Sequence, residues 1–172
     1  MGTPGGPVAH APWERMKRLA ADMTTSVRPA QPADLEGVLR LYGELRPHDP
    51  DLASEVAREA FERLIHKDEV ELIVCECDGV LAATCMLAVI PNLASGTKPF
   101  GVIEHVVTLE AYRRRGYARL VLQYALERAW SRSCCKVVLL SGAQRTEAHR
   151  LYESVGFDGG IERGFVARPP SG

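Results

Sequence analysis

The side chains best suited to bind a ligand are three consecutive arginines, Arg113, Arg114 and Arg115, followed directly by Gly116. The residues before them are apolar and β-branched, and those after them have helical periodicity, so the stretch is predicted to fold as strand, turn and helix. The first amides of a helix have no intrahelical partner and lie at its positive end. Glycine lets an oxyanion approach the backbone, and guanidinium groups match phosphate oxygens. The spacing therefore predicts a turn that binds a diphosphate.

Two adjacent titratable side chains, Glu104 and His105, lie on the predicted strand Phe100–Thr108 just before this turn. Because side chains alternate along a strand, only one of the two is expected to face a substrate. The alternation places on one face Glu104, Val106 and Thr108, and on the other Ile103, His105 and Val107. Histidines ordinarily titrate at about 6.5, and carboxyl groups reach that range after burial among apolar side chains. Either residue is a candidate general base.

Two short motifs resemble those of a known superfamily. The pattern R-x-x-G-x-A that begins at Arg113 resembles the Q/R-x-x-G-x-G/A signature of the GNAT N-acetyltransferase superfamily. The pattern A-x-x-x-Y-x-x-x-G-F that begins at Ala148 resembles a second block of the same families. The likeness covers residues 27–169. It implies a GNAT-like fold in which the turn between the fourth strand and the third helix holds the pyrophosphate of acetyl-coenzyme A.

The resemblance also implies which residues bind and react. Coenzyme contacts are expected on the central strand, in the arginine turn and at a helix start, at Val106, Val107, Thr108, Arg113, Arg114, Arg115, Gly116, Tyr117, Ala118 and Arg145. Tyr152, in the second motif, would donate a proton to the departing thiolate, and Glu104 is the first candidate for the base. Helical spacing alone would instead place Tyr152 in the core with Leu151. The chain departs from the common family pattern at Glu110, Ala118 and Arg145, where proline, glycine and asparagine are frequent.

The composition is that of an ordinary soluble domain. The chain has 172 residues, 46% of them hydrophobic and 25% charged, which suits one domain with a single core. A net charge of −1 argues against a nucleic-acid or anionic-membrane binder, and the local arginine cluster points to a small anionic ligand. Five cysteines without zinc spacing predict reduced thiols in a cytoplasmic protein and no metal. No apolar run reaches the roughly 20 residues of a membrane span.

Element order and the resemblance together predict an α/β fold. The expected architecture is a single domain with a central mixed, mostly antiparallel sheet, a splayed parallel pair and helices on both faces. Residues 1–25 are expected to form an N-terminal extension with a short helix at 13–23, and residues 26–172 the GNAT-like domain. The predicted strands are 26–30, 70–77, 81–90, 100–108, 136–140 and 161–168, and the predicted helices are 34–45, 51–65, 117–132 and 146–155. Asp78-Gly79 predicts a type I′ hairpin turn.

These observations predict an N-acetyltransferase that moves an acetyl group from acetyl-coenzyme A to a primary amine, expected to be a small molecule, by direct attack in a ternary complex. The resemblance further implies a homodimer, and an acceptor entrance flanked by the first two helices, whose loop carries His48 and Asp49. The identity of the acceptor stays open. The alternative is a non-catalytic acyl-coenzyme A sensor. A phosphate-loop nucleotide-binding domain is disfavoured because no Lys-Ser/Thr follows the glycine.

Overall fold

Five strands form one mixed sheet within residues 24–170, the part of the chain that the computed structural model describes. The strands are β1 (Thr25–Pro29), β2 (Val70–Cys77), β3 (Val80–Ile90), β4 (Phe100–Thr108) and β5 (Val137–Leu139), and they follow chain order across the sheet. The first four pair antiparallel, and β5 pairs parallel with β4. The predicted mixed, mostly antiparallel sheet is confirmed. The helix predicted at 13–23 lies outside the described residues.

Four α-helices cover both faces of this sheet in the described chain, as predicted. They are α1 (Leu35–Leu45), α2 (Ser54–Ile65), α3 (Tyr117–Ser131) and α4 (Thr146–Glu153). On one face, α1 and α2 pack in a core that includes Val38, Leu41, Phe61, Leu72, Val74 and Val107. On the other face, α3 and α4 pack in a core that includes Ile73, Cys75, Leu87, Ile103, Val121, Leu122 and Tyr152. Because β2 and β3 are covered on both sides, their sequences lack a polar face.

A tight hairpin joins β2 to β3 at Asp78 and Gly79. Both residues have positive φ angles, 50° and 78°. A type I′ turn requires positive φ at its two central positions, and the pair Asp-Gly adopts that conformation readily. The Asp78 carboxylate also accepts a hydrogen bond from the Thr24 amide at 3.0 Å, so the turn anchors the start of β1. The predicted hairpin is confirmed.

The parallel pair β4 and β5 is joined over a short length only. The paired positions are Gly101 with Val137, Val102 with Val138 and Ile103 with Leu139. β4 continues to Thr108, whereas β5 ends at Leu139 and is shorter than the predicted 136–140. Within residues 24–170, no strand pairs with the edge of β4 beyond Ile103 on the side of β5. The backbone of residues 104–108 is therefore free to pair with another group along that edge.

A bulge in β4 overturns the strict alternation predicted for this strand. Met86 lies opposite Glu104 and Thr84 lies opposite Val107, so β4 uses three residues where β3 uses two. His105 lies in this bulge with a φ of 54°, in the left-handed region. The extra residue resets the pattern, so Glu104 and Val107 lie on the same face of the sheet, the face that α1 and α2 cover. The prediction that they face opposite sides is wrong.

The final strand predicted at residues 161–168 is also wrong. This segment has no helix or strand, and it pairs with none of the described strands. It lies near the start of β5, where the Lys136 ammonium donates to the Glu162 carboxylate at 2.7 Å. Ile161, Phe165 and Val166 are 75%, 86% and 69% exposed. An apolar, β-branched pattern becomes a strand only when a sheet edge is available to pair with it.

Two buried carboxylates fasten helical segments to the sheet. Asp34 accepts hydrogen bonds from the Arg28 guanidinium at 2.6 Å and from a backbone amide at 2.7 Å. Glu71 accepts from Arg128 at 2.9 Å and from Arg132 at 3.1 Å. Burial alone would raise the pKa of Asp34, but the hydrogen bonds from Arg28 and the amide outweigh it and hold the pKa below its ordinary value. The two contacts of Glu71 join residues distant in sequence, so local patterns did not predict them.

Candidate functional site

The predicted strand, turn and helix are all present around the three arginines. β4 ends at Thr108, a short 3₁₀ helix follows at Glu110–Tyr112, and α3 begins at Tyr117. Two residues between them adopt left-handed conformations, Arg114 with a φ of 61° and Gly116 with a φ of 90°. No atom lies within 4 Å of the position that a Cβ on Gly116 would occupy, so the backbone is open there. Glycine suits this position because of its φ angle rather than because of crowding.

Unpaired amides are concentrated at the start of α3. The Arg113 amide donates to the Glu110 carbonyl at 3.2 Å, and the Leu120 amide donates to the Gly116 carbonyl at 3.1 Å. Between them, the amides of residues 114–119 make no hydrogen bond with the described part of the chain. They lie at the positive end of a 15-residue helix. Such a run of free donors is suited to an anion with several oxygens.

The three arginine side chains differ in their surroundings, although all three are exposed. The Arg113 guanidinium donates from Nε to the Thr108 carbonyl at 3.3 Å and lies 3.5 Å from the Glu44 carboxylate of α1. The Arg115 guanidinium lies over the Tyr112 ring, 5.5 Å from its centroid, a cation–π distance. Among residues 24–170, neither Arg114 nor Arg115 has an acidic partner. These two cations are free to meet an anionic ligand.

Tyr117 and Ala118, both predicted to contact a coenzyme, can do so through their backbone amides. The Tyr117 side chain is buried, and its hydroxyl lies 3.0 Å from the Cys77 sulfur. Its ring packs against Tyr112 with centroids 6.0 Å apart. The hydrogen bond with Cys77 and burial raise the pKa of Tyr117. The phenol is thus part of the core beneath the turn.

The central strand presents its predicted residues in different ways. The Val107 side chain is buried in the core with α1 and α2, and Val106 packs against the core with α3 and α4. The Thr108 hydroxyl is buried and has no hydrogen-bond partner in the described residues. For all three residues, the group available to a ligand on the β5 side is the backbone, because that edge of β4 has no strand partner within residues 24–170.

Both candidate bases lie towards α1 as a result of the bulge. Glu104 is half-buried and lies opposite Met86, which packs against the core with α1 and α2. The His105 ring lies 5.2 Å from the ring of Tyr42 on α1. His105 Nδ1 and the Tyr42 hydroxyl are buried without a hydrogen-bond partner in the described chain. Buried polar atoms in that state are rare, so they mark a place that a ligand or an ordered water would complete.

Tyr42 is a candidate site residue that the sequence did not reveal. Its spacing on α1 matches that of the apolar residues Leu35, Val38 and Leu39, so the sequence pattern alone places it on the helix's apolar face. Burial raises the pKa of Tyr42 to about 12, so its hydroxyl stays protonated at neutral pH. The signal available was a hydroxyl on the apolar face of a helix expected to flank the acceptor entrance.

Tyr152 lies on α4 with its ring buried against Phe157, 6.2 Å away in an edge-to-face contact. Its hydroxyl makes no hydrogen bond with the residues that the structure describes. Burial raises the pKa of Tyr152, the charge of Arg145 opposes this rise, and the charge of Glu104 adds to it. The tyrosine is therefore protonated at neutral pH, and both charges act on it from nearby.

Arg145 lies at the N-cap position of α4 and is exposed. Its amide donates to the Gly142 carbonyl at 3.0 Å, and His149 Nε2 lies 3.0 Å from the same oxygen. The loop before α4 is thus held close to the helix start. In the described chain, Arg145 has no acidic partner. It is a third cation free to meet a ligand.

The chain matches the sequence profile of the family described as the acetyltransferase (GNAT) family over residues 35–157. This span includes α1, the arginine turn and Tyr152. The chain therefore belongs to the GNAT acetyltransferase family, which confirms the resemblance carried by the two motifs. Among curated proteins, no sequence matches the chain.

Solved structures of similar proteins agree with this assignment. A protein of Agrobacterium tumefaciens strain C58 described as an acetyltransferase is 40% identical, with a TM-score of 0.80, and the match covers 84% of this chain and 99% of that one. An aminoglycoside N-acetyltransferase in complex with coenzyme A is 18% identical, with a TM-score of 0.73 and coverage of 87% and 97%. An aminoglycoside 6′-N-acetyltransferase from Acinetobacter baumannii is 20% identical, with a TM-score of 0.69 and coverage of 87% and 100%. The last two show a shared fold.

Three further findings concern thiols, metals and membranes. All five cysteines are free thiols, and of these only Cys135 is exposed. Within residues 24–170, no group of three His, Cys, Asp or Glu side chains could hold a metal ion. In the same part of the chain, no helix is both long enough and apolar enough to cross a membrane.

Proposed function

We propose that this GNAT-family acetyltransferase moves the acetyl group of acetyl-coenzyme A to the primary amine of a small molecule, by direct attack in a ternary complex. The observation that carries the proposal is the run of unpaired amides at residues 114–119, beside Arg114 and Arg115. A diphosphate supplies oxygens for all of these donors. Two aminoglycoside acetyltransferases among the similar structures, one of them in complex with coenzyme A, support this coenzyme and an amine acceptor.

In this proposal the coenzyme lies across the end of the sheet. Residues 113–118 form the diphosphate site, and Arg145 contacts the coenzyme from the start of α4. The pantetheine arm, which carries two amides, pairs with the free edge of β4 at residues 106–108. An unpaired strand edge is a ready partner for an extended, amide-bearing chain. The thioester then lies between β4 and α4, close to Tyr152.

The chemistry requires two protons to leave an ammonium acceptor and one proton to reach the sulfur. An ammonium group first gives a proton to a base, directly or through water. The neutral nitrogen attacks the thioester carbon, the carbon–sulfur bond breaks, and the thiolate takes the proton of Tyr152. The nitrogen then gives up its second proton, which returns to the Tyr152 phenolate directly or through water. The products are the acetamide and free coenzyme A. Holding both reactants in place supplies a large part of the rate increase.

Glu104 is the first candidate for the base in this proposal, and His105 is the second. Both lie on the side of β4 that α1 covers, and both are half-buried. The acceptor amine would approach between α1 and β4, opposite the thioester. The loop between α1 and α2, which carries His48 and Asp49, is exposed and would select the acceptor.

We also propose that the protein is a cytoplasmic homodimer, with residues 26–172 as its catalytic domain and residues 1–25 as an extension. Four buried free thiols suit a reducing compartment. A second copy would cover the exposed apolar side chains near the C-terminus, Leu140, Ile161, Phe165 and Val166. Light scattering coupled to size-exclusion chromatography measures the mass in solution.

Calorimetric titration with coenzyme A tests the proposal. The wild type is expected to bind, and Gly116→Trp is expected to lose at least about tenfold in affinity because the indole blocks the turn. Gly96→Trp is the matched control, since Gly96 also has a positive φ of 67° and open space but lies in the loop before β4. Undiminished affinity in Gly116→Trp would place the phosphate site elsewhere.

A panel of small primary amines then separates the enzyme from the alternative, a non-catalytic acyl-coenzyme A sensor. Release of free coenzyme A is followed with a thiol reagent, with wild type lacking an acceptor as the blank. Acetyl transfer to at least one amine supports the enzyme. Coenzyme binding with neither transfer nor slow thioester hydrolysis supports the sensor.

A further inference from the structure

A carboxylate from α1 reaches the turn that precedes the free amides. Glu44 Oε2 accepts a hydrogen bond from the Glu110 amide at 2.8 Å. That amide is the first of the 3₁₀ helix Glu110–Tyr112, and the preceding residue, Leu109, offers no side-chain cap. Glu44 therefore caps this short helix from a distance of 66 residues in sequence. The contact ties the entrance of the turn to α1.

The same carboxylate meets Arg113, the first arginine of the turn. Arg113 Nη2 lies 3.5 Å from Glu44 Oε2, and Arg113 Nε donates to the Thr108 carbonyl at 3.3 Å. The guanidinium thus links the end of β4 to α1 on the near side of the turn. Arg114 and Arg115 have no such partners in the described residues. Arg113 therefore already has protein partners, whereas Arg114 and Arg115 have no acidic partner in the described residues.

We propose that Glu44 and Arg113 are positioning residues: together they fix the turn so that the amides of residues 114–119, with Arg114 and Arg115, meet the diphosphate. This inference rests on the proposed function and refines it, because Arg113 acts through the fold of the turn rather than by contact with phosphate. α1 also carries Tyr42, which packs against His105. One helix therefore holds both the diphosphate turn and the acceptor side of β4.

The direction in which coenzyme affinity changes when Glu44 is removed distinguishes this proposal from a purely electrostatic effect. Glu44 is a negative charge close to a site for an anion, so removing its charge alone should strengthen coenzyme binding. If Arg113 were a phosphate ligand restrained by Glu44, removing Glu44 would also release it to the ligand and strengthen binding further. A positioning role predicts the opposite, because the turn loses its cap and its anchor. Weaker binding cannot come from the charge change itself.

The test is calorimetric titration of the full chain with coenzyme A, using Glu44→Ala, Arg113→Gln and the double variant. Glu44→Ala is expected to weaken binding roughly fivefold, the equivalent of about one net hydrogen bond. The double variant is expected to bind no more weakly than the weaker single variant, because both changes break one unit. Glu36→Ala is the charge-matched control, since Glu36 is exposed about two turns earlier on α1. It is expected to bind as wild type or slightly tighter.

Kinetics adds a readout that misfolding would not imitate. In Glu44→Ala the KM for acetyl-coenzyme A is expected to rise roughly fivefold, while kcat at saturating coenzyme stays within about twofold of wild type. If Glu44→Ala binds coenzyme A as tightly as the wild type, or tighter, the inference is overturned. The proposed function still stands in that case, provided that the wild type binds coenzyme A and Gly116→Trp loses this binding. A wild type that binds no coenzyme A would overturn both.

Discussion

At the scale of single residues, the proposed chemistry depends most on the hydroxyl of Tyr152. The ring is buried against Phe157, and the hydroxyl has no hydrogen-bond partner in the described chain. Burial raises its pKa, so the proton is retained at neutral pH. A protonated hydroxyl with a free donor is what a departing thiolate requires. Spacing alone would have left this residue in the core, and only the family motif indicated a role.

Tyr152→Phe is expected to lower kcat about 100-fold, the usual size of one general acid's contribution. Coenzyme A affinity should stay within about twofold of wild type, because the phenyl ring keeps its packing against Phe157. Steady-state kinetics and calorimetry measure the two quantities. Tyr124→Phe, which removes the hydroxyl of a half-buried tyrosine on α3, is the matched control. An unchanged kcat in Tyr152→Phe would remove the tyrosine from the mechanism.

The pH dependence of kcat also tests the role of Tyr152. The active form of Tyr152 is protonated, and its raised pKa extends that form to higher pH. We expect the midpoint of the alkaline loss of kcat due to this group to lie above the ordinary tyrosine pKa of about 10. The loss should be absent from the residual activity of Tyr152→Phe. An alkaline limb that persists unchanged in the variant would assign it to another group.

Asp34 provides a residue-scale test of the fold. The carboxylate is 8% exposed and bound by Arg28. Asp34→Asn is expected to cost about 2 kcal/mol of unfolding free energy at neutral pH, because a charged hydrogen-bond pair is lost. Since its folded pKa is lowered, Asp34 stabilises the fold above its ordinary value of 3.8, and this stability is lost as pH falls through the folded pKa.

Urea unfolding at neutral and acidic pH measures this difference. The gap between wild type and Asp34→Asn should close as pH falls below 3.8. The control is Glu36→Gln, an exposed acid that should show no gap at either pH. A gap that stays constant at acidic pH would mean that packing, not the charge of Asp34, stabilises the segment.

At the scale of elements, the sequence predicted most helices and strands because their signals are local. The hairpin at Asp78 and Gly79 and the periodicity of α3 are examples. The β4 bulge was not predicted, because strict alternation assumes that each residue of a strand pairs with one residue of its neighbour. Only the register with β3 shows the extra residue. The tail at 161–168 escaped for a related reason, since strand pattern does not supply a partner edge. Contacts such as Glu44 with Glu110 depend on the assembled fold.

The bulge predicts a difference between two substitutions of His105. Its φ of 54° suits asparagine but strains a β-branched side chain. His105→Val is expected to lose about 1–2 kcal/mol of unfolding free energy, whereas His105→Asn should stay within about 0.5 kcal/mol of wild type. Chemical denaturation measures both. Equal stability of the two variants would argue against a left-handed residue at this position.

Activity in the same strand identifies the base. With Glu104 as the base, Glu104→Gln is expected to lower kcat about 100-fold, and His105→Asn less than about tenfold. Kinetics at saturating acetyl-coenzyme A, with the same acceptor for both variants, compares them directly. The reverse order of the two losses would make His105 the base.

At the scale of the whole molecule, several large apolar side chains are exposed after β5 and in the tail that follows α4. Leu140, Ile161, Phe165 and Val166 all remain uncovered in the described chain. Single exposed apolar residues are common, but a group such as Ile161, Phe165 and Val166 in one stretch is typical of a surface that meets a partner. The proposed homodimer gives this group a partner. Whether an apolar segment is covered depends on the packing of the whole chain, which a local pattern does not contain. The pattern of this segment was therefore interpreted as a strand.

Phe165→Asp is expected to convert the dimer to a monomer, because it places a charge among the apolar side chains that a second copy would cover. Light scattering after size-exclusion chromatography measures the mass. Leu93→Asp is the matched control, since Leu93 is 93% exposed in the loop before β4. A wild type that is monomeric, or a Phe165→Asp variant that stays dimeric, would contradict the proposed interface.

The most direct test of the central claim is an NMR titration of ¹⁵N-labelled protein with coenzyme A. The claim is that the turn between β4 and α3 binds the diphosphate through its free amides. The account predicts that the amide resonances of residues 114–119 shift most, and that those of the remote hairpin at Asp78 and Gly79 do not move. Saturable binding that leaves residues 114–119 unperturbed would contradict it.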